Sequence, residues 1–230
     1  QDMAYANVLA LVGKGILPFI VGGTGLYIKA LIHGLFESVK VDAGVRKRLK
    51  KEAEELGGPH LHARLKAVDP AAAGRIHAND IYRIVRALEI FETTGRPMSD
   101  TQEQHHFEPQ RLQTVKIGLH MEREALYQRI DQRVDIMLDQ GLLAEVKGLL
   151  EKAYSPDLKS MKSLGYRHMA LFLKNEIDWE EAVRTLKRDT RRYAKRQMTW
   201  FKADPEIVWV GPGELEEAAA MIAAFKAQCG

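Results

Sequence analysis

Apolar positions change their spacing twice near the start of this chain. Ala4, Val8, Leu11 and Val12 fall at helical intervals, Ile16 to Val21 form an unbroken apolar run, and helical spacing resumes at Leu26, Ala30 and Leu31. Between run and helix lies Gly22-Gly23-Thr24-Gly25. The pattern predicts a helix, a buried strand, a tight turn and a second helix running out near Gly34. Phe36 to Gly44 reads as a linker. From Val45 to about Thr94 the spacing is helical throughout. Leu49, Ala53 and Leu56 mark one core stripe, which Gly57-Gly58-Pro59 ends. A helix from His60 to Val68 stops at Asp69-Pro70, and a short piece reaches Ile76. Asn79 or Asp80 then caps a helix whose Ile81, Ile84, Val85, Leu88 and Phe91 face a core. Gln102 to Pro109 has the composition of a loop.

In the second half, Val115, Ile117 and Leu119 alternate with Lys116, Gly118 and His120, which predicts a strand over Thr114 to His120. It feeds a long helix, Glu122 to Glu151, interrupted near Gly141. Leu126, Ile130, Val134, Met137 and Leu138 form its stripe, with Arg129 and Arg133 on one edge. The helix predicted from Trp179 to Phe201 sets Ala182, Val183, Leu186, Tyr193, Ala194, Trp200 and Phe201 on one broad face. Arg184, Arg188, Arg191, Lys195 and Lys202 fall on the other. A strand at Ile207 to Val210 and a helix from Glu214 to Phe225 complete the pattern. No internal repeat is visible.

The chain of 230 residues and 26.0 kDa is long enough for one large domain or two small ones. No apolar run approaches the roughly 20 residues that span a bilayer. Its one cysteine, Cys229, excludes an internal disulfide and fits a reducing cytoplasm. The start, Gln1-Asp2-Met3, resembles neither an initiator nor a signal peptide, and the first helix lacks an upstream cap, so a preceding N-terminal part is expected. Eight histidines are scattered without partners at metal-ligand spacing, His60/His62 and His105/His106 included.

A net charge of +3 is too mild to establish nucleic-acid binding, so the distribution of charge matters more. The stripe on the Trp179 to Phe201 helix carries no interleaved carboxylate, whereas solvated helix faces ordinarily mix signs, and this favours a polyanion. Arg83 and Arg86 near Tyr82 are either solvated or a phosphate-gripping face beside a stacking ring. Arg129 and Arg133 either pair with acids or receive an anion such as diphosphate. Lys162-Ser-Leu-Gly-Tyr-Arg167 is a basic helix entry or simply a turn. The glycine turn is common in α/β proteins, but ligands bind where such turns leave strands, and Thr24 carries its one hydroxyl.

Five blocks, PFIVGGTGLYIKALIHGL at 18–35, RIHANDIYRIVRALEIFETTGRP at 75–97, IGLHMEREALYQRIDQRVDIML at 117–138, LKSMKSLGYRHM at 158–169 and TRRYAKRQMTWF at 190–201, closely resemble the tRNA dimethylallyltransferases. They keep that family's order and spacing over nearly the whole chain. The resemblance implies transfer of a dimethylallyl group from dimethylallyl diphosphate to N6 of the adenosine immediately 3′ of the anticodon, adenosine 37, with Mg2+ assisting departure of diphosphate. It implies an α/β fold: a P-loop NTPase-like core with a parallel sheet, N-terminal strands missing, plus an inserted all-helical tRNA-binding domain. Residues 1–44 and 113–230 would be the two parts of that core and 45–112 the insertion. A cytoplasmic monomer that binds the tRNA anticodon stem-loop and no membrane is expected.

Carried over by position, Thr24 matches the turn threonine that faces the flipped adenine beside the catalytic aspartate, which makes it the expected catalytic residue of this chain and a tRNA contact. Arg133 matches the arginine holding diphosphate, with Arg129 a weaker companion. The tRNA-contacting positions would include Arg46, together with Tyr82, Arg83, Ile84, Val85 and Arg86. A second group is Lys162, Ser163, Leu164, Gly165, Tyr166 and Arg167. The third is Arg191 with Lys195, Arg196, Gln197, Met198, Thr199, Trp200, Phe201 and Lys202. One departure stands out: the 230 residues contain neither the phosphate-cradling sequence G-x-x-x-x-G-K-[ST] nor an Asp-Ser pair, which supplies the family's general base. Both would precede Gln1, and the 230 residues alone are expected to be inactive. The alternative is a non-catalytic RNA-binding protein derived from that family. A nucleotide kinase is the weaker third reading, because it needs no long basic helix.

Overall fold

The computed structural model describes residues 1–34, 42–100 and 111–229, so the expected loop at Gln102 to Pro109, His105/His106 and most of the Phe36 to Gly44 linker lie outside the described residues. The chain forms two compact units, Gln1–Ile16 with Leu26–Gln113, and Leu17–Gly25 with Thr114–Gly230. This division differs from the expected segments: of residues 1–44, only Leu17–Gly25 clusters with the second unit.

The first unit is helical: α1 (Asp2–Val12), α2 (Gly25–His33, its first residue assigned to the other unit), α3 (Ala43–Leu56), α4 (Gly58–Val68), α5 (Pro70–Arg75) and α6 (Ile81–Thr94). The caps follow the sequence. Asp42 accepts from the Gly44 amide at 2.8 Å, Asp80 from the Arg83 amide at 3.1 Å, and Gly95 ends α6 at φ +69°. Leu49, Leu61, Leu65, Ile84 and Leu88 meet in its core and are buried to 1% exposure or less. Asp69 is buried as well, because it does two jobs. It caps α5 through the Ala72 amide at 2.9 Å and receives both the amide and the hydroxyl of Ser99, at 2.9 and 2.6 Å. Ile81, expected in the core, is 39% exposed at the first turn of α6.

In the second unit β1 (Lys116–Leu119) and β2 (Ile207–Val210) pair in parallel, Lys116 opposite Ile207 and Leu119 opposite Val210. Parallel strands need a long crossover. Here it carries α7 (Arg123–Asp139), α8 (Leu142–Glu151), α9 (Tyr166–Leu173) and α10 (Trp179–Phe201), and α11 (Leu215–Cys229) follows β2. Gly141, at φ +97°, makes the break between α7 and α8. Val134, Val146, Met169, Ala182 and Leu186 form the core between these helices.

Two strand expectations change. Ile16 to Val21 is not a strand: it lies in no sheet among the described residues, and Phe19 and Val21 are 65% and 92% exposed. An apolar run of strand composition has no strand geometry to adopt without a ladder partner. In β1 the expected alternation inverts at its ends. Leu119 is 70% exposed, while Lys116 turns inward to Asp204 at 2.9 Å and Glu206 at 2.7 Å. Among the described residues no helix is long and apolar enough to cross a membrane.

Candidate nucleic-acid interface

The site is built on α10. Asp178 caps it by accepting from the Glu181 amide at 2.8 Å, and Glu180 and Glu181 occupy its first turn, where the helix dipole favours acids. Ala182, Thr185, Leu186 and Asp189 then bury one side of the helix. The five-cation stripe expected opposite them is not a free cationic face. Arg184 makes a two-pronged pair with Glu181, both bonds 2.7 Å, and Arg188 Nε donates to Asp189 Oδ1 at 2.9 Å. Arg191 donates to both oxygens of Asp131 on α7, at 2.7 and 2.6 Å. Tertiary packing supplies the carboxylate that the stripe itself lacks at Arg191. Lys195 and Lys202 remain exposed, with no ion-pair partner among the described residues.

Cationic charge instead gathers around Asp189, at a groove of about 670 Å³ between α10 and the approach to α9. Lys162, Arg167, Arg188, Arg192 and Arg196 line it, against Asp189 as its one carboxylate. Arg196 stacks over the ring of Tyr193 at 5.6 Å, and Tyr193 is itself a wall of the groove. Cations that outnumber acids, with an aromatic face among them, suit a phosphate backbone and an unstacked base. The hydrogen bond from Arg188, aided by His168 and the charge of Arg167, holds the Asp189 carboxyl at about 2 despite its burial.

Beneath the groove His168 is 2% exposed, its Nε2 lies 3.4 Å from Asp189 Oδ2, and its Nδ1 has no partner among the described residues. Burial pushes the His168 pKa below the ordinary imidazole value, and Asp189 only partly opposes this. The folded ring is therefore neutral where the unfolded ring takes a proton. Stability is full above the unfolded value of about 6.5 and declines as pH falls below it. His168→Asn is expected to flatten this part of the stability profile between pH 7 and 5, measured by urea unfolding.

The glycine turn lies against the same helix. Gln197 Nε2 donates to the Gly23 carbonyl at 2.9 Å, a Cβ on Gly23 would meet the Gln197 amide, and one on Gly25 would overlap the Trp200 ring. These two glycines admit α10 closely, and Thr24 between them is exposed. Trp200 and Tyr193, expected on the apolar face, are 46% and 36% exposed.

On α7, Arg129 and Arg133 are exposed and make no ion pair or hydrogen bond among the described residues. The remaining candidates separate into distinct settings. In the segment 162–167, Lys162, Leu164 and Arg167 line the groove, Ser163 is exposed, Gly165 is buried at the N-cap of α9, and Tyr166 donates its hydroxyl to Glu145. At the end of α10, Thr199 donates back to the Lys195 carbonyl at 3.0 Å, while Met198 and Phe201 are half-buried.

In the first unit Arg46 and Arg86 both pair with the buried Glu89, Arg46 Nη2 at 2.9 Å and Arg86 Nη1 at 3.4 Å. Burial raises the Glu89 carboxyl, but the Arg46 bond and charge, helped by Arg86, win and leave it below the ordinary range. Arg83 pairs with Asp80 at 3.3 Å and Tyr82 is 82% exposed. Ile84 and Val85, expected among tRNA contacts, are 0% and 4% exposed core residues whose side chains face other helices. Sequence reasoning left Asp189 and Arg192 out of the candidate site and put Tyr193 on the broad face opposite the cationic stripe. The i,i+4 spacing of Arg188, Arg192 and Arg196 was the available signal.

The family model described as IPP transferase matches residues 1–204. A tRNA dimethylallyltransferase of Desulfosudis oleivorans is 50% identical over 224 residues, covering 97% of this chain and 71% of that protein. Another, from Desulfatibacillum aliphaticivorans, is 55% identical over 207 residues, 90% of this chain and 68% of its relative. The crystal structure of the full-length tRNA isopentenylpyrophosphate transferase of Bacillus halodurans aligns with a TM-score of 0.66 at 37% identity, covering 100% of this chain and 73% of that one. A eukaryotic dimethylallyltransferase acting on tRNA aligns with a TM-score of 0.77 at 25% identity, over 98% of this chain and 60% of that one. With the family model spanning nearly all of its length and relatives matched at half identity or more, this chain belongs to the IPP transferase family.

Proposed function

We propose that the chain is a tRNA dimethylallyltransferase, moving the dimethylallyl group from dimethylallyl diphosphate to N6 of the adenosine immediately 3′ of the anticodon and releasing diphosphate. The observation that carries this reading is the 50% identity to a protein of that name along 97% of the chain. In the reaction a bond forms between N6 and the allylic carbon, the carbon–oxygen bond breaks with its electrons passing to diphosphate, and N6 gives up a proton. Arg133, with Arg129 one helical turn away, is assigned to the diphosphate, because two guanidiniums without acid partners among the described residues can answer its growing charge. Thr24 is assigned to the adenine, and the basic groove to the backbone of the anticodon stem-loop. Among the described residues no group of three or more His, Cys, Asp or Glu side chains could hold a metal ion.

None of the 230 residues matches the phosphate-cradling loop or the Asp-Ser pair. The 230 residues alone are therefore expected to bind an anticodon stem-loop without prenylating it. The same residues fused to the segment of the Desulfosudis oleivorans relative that they do not match are expected to transfer. Mass spectrometry of the RNA reads both, as the gain of one dimethylallyl group. Binding by the first protein with no transfer by the second would refute the enzymatic reading.

A further inference from the structure

A carboxylate in a groove meant for a polyanion is electrostatically adverse, and Asp189 is there all the same, its side chain 11% exposed. Its two oxygens collect guanidiniums from two helices. Oδ2 accepts from Arg167 Nη2 of α9, while Oδ1 accepts from Arg188 Nε at 2.9 Å and lies 3.6 Å from Arg192 Nη1 on α10. One negative charge cannot neutralise three positive ones, so the cluster stays cationic. Each arginine carries five N–H donors, and Asp189 engages only part of each set. What the acid removes is freedom, because an unheld arginine side chain gives up rotamer entropy when it is fixed on a ligand.

We propose that Asp189 is a positioning residue for RNA: it presets the Arg167, Arg188 and Arg192 guanidiniums at a spacing that fits neighbouring phosphodiesters of a folded hairpin. The groove thereby prefers a structured stem-loop to a flexible polyanion of equal charge, since a flexible chain gains little from a fixed spacing. This rests on the tRNA reading above and adds to it the origin of the preference for folded RNA.

The test compares binding of an anticodon stem-loop with binding of heparin, at one salt concentration, by the 230-residue chain. Asp189→Asn raises the groove's charge by one unit while loosening the fork. The stem-loop is expected to bind roughly tenfold more weakly, the equivalent of one charge-assisted hydrogen bond, while heparin binds as well as before or better. If both ligands bind more tightly, charge alone governs the groove and the proposal fails. Asp189 is buried, so Arg167→Lys and Arg192→Lys, at exposed side chains, give the same test should Asp189→Asn not fold. Each keeps its charge and loses the fork, and is expected to weaken the stem-loop selectively. Equal binding of both ligands by these variants and the parent protein overturns the proposal. Failure of the parent chain to bind the stem-loop at all overturns the tRNA reading together with it.

Discussion

Replacing Arg46 by alanine is expected to lower the stability of the helical unit by ~1–2 kcal/mol at pH 7, below the cost of breaking a fully buried ion pair because Arg46 is half-exposed and Glu89 keeps Arg86. Arg46 itself is half-exposed, but its partner Glu89 is completely buried, so the stranded group is the acid, left with Arg86 at 3.4 Å. The pH dependence separates this cause from lost packing. In the parent protein the Glu89 pKa is depressed, so its contribution is complete above the ordinary carboxylate range and is lost as pH falls through the folded value. In the variant, burial is opposed by Arg86 alone, so the Glu89 pKa rises from its value in the parent and protonation relieves part of the penalty. The gap between the two proteins therefore narrows as pH drops from 7 toward 4. Urea unfolding across that range measures it, and a gap independent of pH would assign the loss to the arginine stem instead.

The second large effect is on salt dependence. If the groove neutralises about four RNA phosphates, affinity for an anticodon stem-loop falls about a hundredfold between 50 and 200 mM salt. Lys162 and Arg196 line the groove without touching Asp189, so changing both to glutamine removes charge and leaves the arginine fork in place. The double variant is expected to lose only ~10-fold across the same interval, its logarithmic slope shallower by about two. Fluorescence anisotropy titrations at three salt concentrations give both slopes. Equal slopes would place the RNA elsewhere on the protein.

Local signals in the sequence served well where the physics is local. α10 runs from Trp179 to Phe201 as its spacing predicts, Asp80 and Gly95 cap α6, and Gly141 breaks the long helix. Several of the misread features involve a partner far along the chain. Arg191 meets Asp131 sixty residues earlier, and Arg46 meets Glu89 forty-three residues later, so a stripe or a basic cluster looked free when packing had already partnered it. Gly23 and Gly25 have the same origin. Their conformational freedom was visible as a turn, but what crowds them is Gln197 and Trp200, some 175 residues away. Tyr193 was misplaced for another reason: a helical projection sorts residues by polarity, and tyrosine belongs to both classes.

The bond from Gln197 to the Gly23 carbonyl has a thermodynamic corollary. Arg196, which walls the groove, and Gln197, which grips the turn, are consecutive residues of one rigid rod. A rotation of that end of the helix would be felt through this bond by the loop bearing Thr24. Free-energy linkage makes such communication two-way: a small molecule lodged at the loop would alter affinity for the polyanion by the same factor as the reverse.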